Sequence, residues 1–183
     1  MYALFFTMNR LSPEEISFFK REGYLIKKGV LDPELMACAR QRKWVGAPDR
    51  MKPDEPTTWI GPWRPDEETS EAEANCKIGY TWKYREPANE EWLVRMMVGH
   101  PIIVGWAEQL LGLGNFDVPE RVRGIYCRLP MGDAAEQPLV CHCDVSPDSL
   151  HETPFETLLK PGIGAVGLIA PIPPNGGAFT VRP

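Results

Sequence analysis

Nineteen of the 183 residues are proline, about twice ordinary usage, and this limits what the chain can build. Proline fixes φ and has no N–H to donate, so it suits a helix's first turn or a loop and disrupts helix interiors and central strands. Pro13 and Pro33 stand at helix-start positions, whereas Pro48, Pro53, Pro56, Pro62 and Pro65 punctuate one stretch. The expectation is a loop-rich fold with a few short helices, not a helical bundle.

The helix starts are well marked. In "LSPEEISFFKREG" Ser12 is the N-cap, Pro13 opens the first turn, Glu15 completes a capping box and Gly23 is the stop. Ile16, Phe19 and Phe18 supply its apolar face. "YLIKKGVL" reads as a short strand, and "LDPELMACARQRK" repeats the start device with Asp32 as cap. "IGYTWKYRE" alternates and predicts a strand. "NEEWLVRMMVGHPIIVGWAEQLLG" predicts a helix, a break at His100-Pro101, and a second helix ending at Gly112 or Gly114. Strands are expected at about 121–129, 138–144, 163–172 and 177–182. Helices first and strands later, without βαβ alternation, predict a mainly β, α+β chain whose antiparallel sheet carries N-terminal helices. No internal repeat is visible.

The whole chain reads as one domain: a tail at 1–10, a helical part at 11–115 with a proline-rich loop at 45–75, and a β part at 116–183. In that loop Trp59 and Trp63 favour packing, whereas the acidic run "DEETSEAE" favours solvent; a loop of this length is a lid or a disordered segment. A net charge of −5 disfavours a nucleic-acid surface. No apolar run approaches the roughly 20 residues that span a bilayer. "MYALFF" lacks the basic region and cleavage site of a signal peptide, and Met8 is an alternative start. Five cysteines without a regular framework suit a reducing, cytoplasmic setting.

The stretch "LVCHCDV" at 139–145 carries the chemistry. Strand side chains alternate faces, so His142 and Asp144 point one way and Cys141 and Cys143 the other. That disfavours a Cys-His-Cys zinc site and leaves the two cysteines as small buried residues. A His and an Asp two apart supply two ligands of a 2-His-1-carboxylate site, which suits non-haem Fe(II). The bland alternative is a strand-edge histidine and an aspartate opening the turn "DVSPDS". Tyr126 and Arg128 share a face of the preceding strand and either line that pocket or are a core tyrosine and a solvated arginine. Trp59, Trp63, Trp82 and Trp92 read as core or loop anchors, and His100 as a cap or surface residue.

Three segments in order resemble the phytanoyl-CoA dioxygenase family: "LSPEEISFFKREGYLIKKGVLDPEL", "VCHCD" and "VGLIAPIPPNGGAFTVRP". The likeness runs from about Leu11 to Pro183. It implies a double-stranded β-helix, a cupin-like jelly roll, of which 116–183 would be the first half. It further implies Fe(II) held by His142 and Asp144, 2-oxoglutarate as co-substrate, ascorbate as an accessory reductant, and a small-molecule substrate. Related halogenases replace the carboxylate ligand by a small residue, so Asp144 points to hydroxylation. In the family the distal histidine and the arginine that grips 2-oxoglutarate follow a "PGSH" stretch, beyond the match. The expectation is therefore an N-terminal portion, catalytically incomplete alone, whose remainder lies past Pro183 or on a second chain. His151 is a poor substitute ligand. Ala170 and Pro171 replace a pair that is often acidic in relatives. The rival reading is a non-catalytic cupin-like binding or interaction module.

Overall fold

The computed structural model describes residues 10–69, 75–131 and 162–174. Within them four helices and three short strands form an α+β arrangement: α1 (Pro13–Glu22), α2 (Pro33–Arg42), β1 (Asn75–Ile78), β2 (Thr81–Tyr84), α3 (Glu91–Met96), α4 (Pro101–Leu111) and β3 (Ile125–Arg128). Single 3-10 turns occupy Pro56–Thr58 and Glu86–Asn89. Helical residues outnumber strand residues here. The expected strands at 138–144 and 177–182 lie outside the described residues.

The helix ends follow local chemistry. The Ser12 hydroxyl accepts from the Glu15 N–H at 3.2 Å while the Glu15 carboxylate accepts from the Ser12 N–H at 2.9 Å, which satisfies two of the N–H groups a helix start leaves without partners. Gly23 closes α1 at φ 78°, a left-handed conformation that costs other residues energy. Asp32 caps α2 through the N–H groups of Glu34 and Leu35.

His100 caps α4: its Nδ1 accepts from the Ile102 N–H at 3.3 Å. Burial lowers the His100 pKa below its usual value, so the fold favours the neutral ring that can accept this bond. The unfolded chain then takes up the proton more readily, and stability falls as pH drops through the ordinary histidine range, about 6.5. His100→Asn should keep the cap and flatten stability between pH 7 and pH 5 in urea titrations; an unchanged slope would remove this role.

The strands run β1-β2-β3, antiparallel throughout. Trp82 faces Lys77 on one side and Cys127 on the other, and Lys83 lies between Cys76 and Tyr126. Under one face sits the core. Trp63, Trp82 and Tyr84 are buried with Ala88, Leu93, Met96, Ile125 and Leu129. The Trp82 ring meets Trp63 edge-on at 5.6 Å and Trp44 at 6.1 Å, geometries aromatic pairs favour.

Several expectations need correction. The segment 24–31 is not a strand: among the described residues no β-partner reaches it, Gly29 turns it at φ 69° and Ile26 is exposed. The strand expected in "IGYTWKYRE" is present but shorter: it is β2, Thr81–Tyr84, and only Ile78, before the turn at Gly79-Tyr80, belongs to β1. At 121–129 the ladder begins only at Ile125, because the Val122 N–H is used by Ala88 O and Gly124 adopts φ 109°. Residues 163–172 form no ladder; Arg40 Nη1 donates to Ile169 O at 2.6 Å, and Gly167 lies so close to Leu31 and Met97 that a Cβ would clash.

The proline-rich loop is packed where it is described. Trp63 is buried and its indole N–H donates to Thr81 O at 2.9 Å; Trp59 donates to Lys52 O. Part of the acidic run is tied down as well, against the expectation of solvent. Arg50 grips both oxygens of Glu67, at 2.6 and 2.8 Å, and Glu68 accepts from the Gly79 N–H. The Arg50 hydrogen bonds hold the Glu67 carboxyl below the usual carboxylate range. This pair strengthens above about pH 4.5 and is lost as acid protonates Glu67.

Candidate functional site

Strand parity divides the sheet into two chemically different faces. Lys77, Trp82, Tyr84, Ile125 and Cys127 face the core. The opposite face carries two cross-strand rows: Cys76, Lys83 and Tyr126 in one, Ile78, Thr81 and Arg128 in the other. Residues opposite one another in a ladder interact directly. Lys83 Nζ stands 5.8 Å from the Tyr126 ring centroid, and Arg128 Nη1 donates to the Thr81 hydroxyl. These six positions hold two cations, two hydroxyls, a thiol and an isoleucine, with no carboxylate among them. Tyr126 is 50% and Ile78 47% exposed, so among the described residues this face is open.

Tyr126 and Arg128 thus share a solvent-side face, as parity predicts. Lys83 and Thr81 join them, which the sequence reading missed. The signal was present: in "TWKY" the alternation sends Trp82 and Tyr84 inward and Thr81 and Lys83 outward. What was hidden was the register that sets Lys83 beside Tyr126.

His142, Asp144, Cys141, Cys143 and His151 lie outside the described residues. Within the described residues no group of three or more His, Cys, Asp or Glu side chains could hold a metal ion. His100 is engaged as a cap.

A second polar cluster braces the core face. Arg42 donates from Nε and Nη2 to one Glu90 oxygen, at 2.9 and 2.7 Å, and from Nη1 to the Tyr84 hydroxyl at 2.8 Å. Tyr84 donates in turn to Glu86 at 3.0 Å. Burial first, then the Glu86 hydrogen bond, pushes the Tyr84 phenol up to about 12, so it stays a donor at any ordinary pH. The cluster links α2, β2 and the start of α3, and positions β2 without adding an open site.

Lys77 extends beneath the sheet, its Nζ 5.8 Å from the Trp63 centroid and 5.9 Å from that of Trp82. Burial lowers its pKa; the aromatic faces offset part of the desolvation cost. No described helix is long and apolar enough to cross a membrane. The chain matches no family model, no curated protein and no solved structure.

Proposed function

We propose that this chain carries the metal-bearing part of an Fe(II)- and 2-oxoglutarate-dependent hydroxylase of the phytanoyl-CoA dioxygenase type, built on a jelly roll. His142 and Asp144 supply two of the iron ligands, and the open sheet face binds the co-substrate through Lys83, Tyr126 and Arg128. The observation that carries this reading is the acid-free, doubly cationic face of β2 and β3. It precedes the His142 segment in the chain and has the charge that a dicarboxylate requires. The imidazole-plus-carboxylate donor set of the His-x-Asp motif suits Fe(II).

When bound, the iron supplies the oxygen chemistry that couples oxidative decarboxylation of 2-oxoglutarate to hydroxylation of a small molecule's C–H bond. The chain's own residues do simpler work. Lys83 and Arg128 neutralise a carboxylate by charge-assisted hydrogen bonds. The Thr81 and Tyr126 hydroxyls orient it. The buried aromatic layer beneath β2 keeps the face rigid.

Anaerobic calorimetry tests this directly. His142→Ala and Asp144→Ala are each expected to weaken Fe(II) binding by about 100-fold, the upper end of what even an outer-shell change costs. Because the imidazole binds only when deprotonated, affinity should fall as pH drops below about 6.5. With Fe(II) bound, Lys83→Gln or Arg128→Gln should weaken 2-oxoglutarate binding about tenfold and leave Fe(II) affinity alone. Fe(II) affinity undiminished in both ligand variants would overturn the metal assignment. An unchanged 2-oxoglutarate affinity in both face variants would overturn the co-substrate face.

A further inference from the structure

On a different surface, a shallow cleft is lined by Arg10, Lys27, Lys28, Gly29, Ile102 and Trp106 and encloses about 210 Å³. The protein is acidic overall, with a net charge of −5, yet three cations converge here. The backbone next to Arg10 and Lys28 is fixed locally, and Lys27 is held by its side chain. Arg10 precedes a two-way clasp in which the Leu11 N–H donates to Gln109 Oε1 at 2.8 Å and Gln109 Nε2 donates to Leu11 O at 3.1 Å. That clasp fixes the chain beside α4. Lys27 is held by Glu15 at 2.5 Å and lies over the Trp106 ring, 5.3 Å from its centroid. Lys28 precedes the left-handed turn at Gly29. Ile102, in the first turn of α4, lines the cleft wall.

Glu15 offsets the charge of Lys27, so Arg10 and Lys28 supply the net positive charge. Neither forms an ion pair with a described carboxylate within 4.0 Å. We infer that this cleft binds the phosphomonoester group of a small molecule, with Arg10 and Lys28 on the phosphate and the Trp106 ring and Ile102 against the adjoining apolar or planar part. A dianion fits these two cations, and the guanidinium matches phosphate geometry bidentately. This inference is independent of the dioxygenase reading.

The test titrates the full chain with inorganic phosphate and with phenyl phosphate, by calorimetry and by the amide and indole N–H resonances. Both probes should saturate, with phenyl phosphate the tighter because only it reaches the Trp106 wall. Arg10→Gln and Lys28→Gln should each weaken both probes about tenfold. Lys52→Gln, which removes one exposed charge elsewhere, should change neither. If phosphate binds and phenyl phosphate gains nothing, the cleft is a site for the free anion, and the assignment to a phosphorylated molecule fails. Absence of saturable binding, or equal losses in all three variants, overturns the site altogether.

Discussion

Trp82→Ala is expected to unfold most of this domain or to leave it barely stable at 25 °C. The side chain is 1% exposed and stands at the centre of the ring cluster, with Trp63 at 5.6 Å, Trp44 at 6.1 Å and Tyr84 at 6.2 Å. Truncating a buried aromatic to alanine removes its transfer energy and leaves a cavity, at a cost of about 3–5 kcal/mol. Small domains have only about 5–15 kcal/mol to lose. Trp82 also brings one unfavourable feature: its indole N–H finds no acceptor among the described residues. Trp82→Phe keeps most of the ring packing and removes that buried donor, so its loss should be well under half that of alanine. Urea denaturation followed by far- and near-UV circular dichroism reads both. If alanine costs no more than phenylalanine, the ring cluster is not the centre of stability.

Gly124→Ala should be nearly as damaging, for a backbone reason. Gly124 adopts φ 109°, and a Cβ there would lie 2.5 Å from Tyr84 O and 3.0 Å from Arg85 Cα. The obstacle is main chain at the end of β2, so it cannot rotate away as a side chain would. Strain at a position essentially reserved for glycine costs about 1–3 kcal/mol by itself, and the clash brings the expected total to about 3 kcal/mol or more. Gly46→Ala provides the comparison, since Gly46 has φ 78° but a Cβ there would meet nothing within 4 Å. It should show only the left-handed penalty, about 1–2 kcal/mol. Equal losses at the two glycines would mean that β2 yields at Tyr84. The Gly124 variant should also displace β3, and with it Tyr126 and Arg128. If the proposed co-substrate face is right, it should therefore weaken 2-oxoglutarate binding even where the protein remains folded, whereas Gly46→Ala should not.

The open sheet face connects these stability arguments to function. Lys83 and Arg128 owe their positions to a two-residue turn at Gly79-Tyr80 and to the ladder between β2 and β3. The Arg42, Glu90, Tyr84 and Glu86 cluster holds the end of β2 from the other side. On the proposed reading, in which this face receives a charged co-substrate, such bracing helps, because binding groups held in place lose little freedom when the ligand arrives.

Local chemistry in the sequence determined the helix starts. Ser12 with Glu15, Asp32 before Pro33 and His100 before Pro101 each satisfy N–H groups within a few residues, so no distant contact is needed to specify them. Alternation in "TWKY" likewise determined which residues face the core, and the parity of Tyr126 and Arg128. Tertiary structure decided the rest. "YLIKKGVL" has strand-like residues but, among the described residues, no neighbouring strand to complete its hydrogen bonds, and a strand exists only as part of a ladder. The strand in "IGYTWKYRE" was shortened to Thr81–Tyr84 because the chain reverses at Gly79-Tyr80 to pair with Asn75–Ile78, a partner that lies before the stretch. The pairing of Lys83 with Tyr126, and the tie from Arg50 to Glu67, join residues 43 and 17 positions apart. Such contacts depend on register and on loop closure, which cannot be read from spacing along the chain.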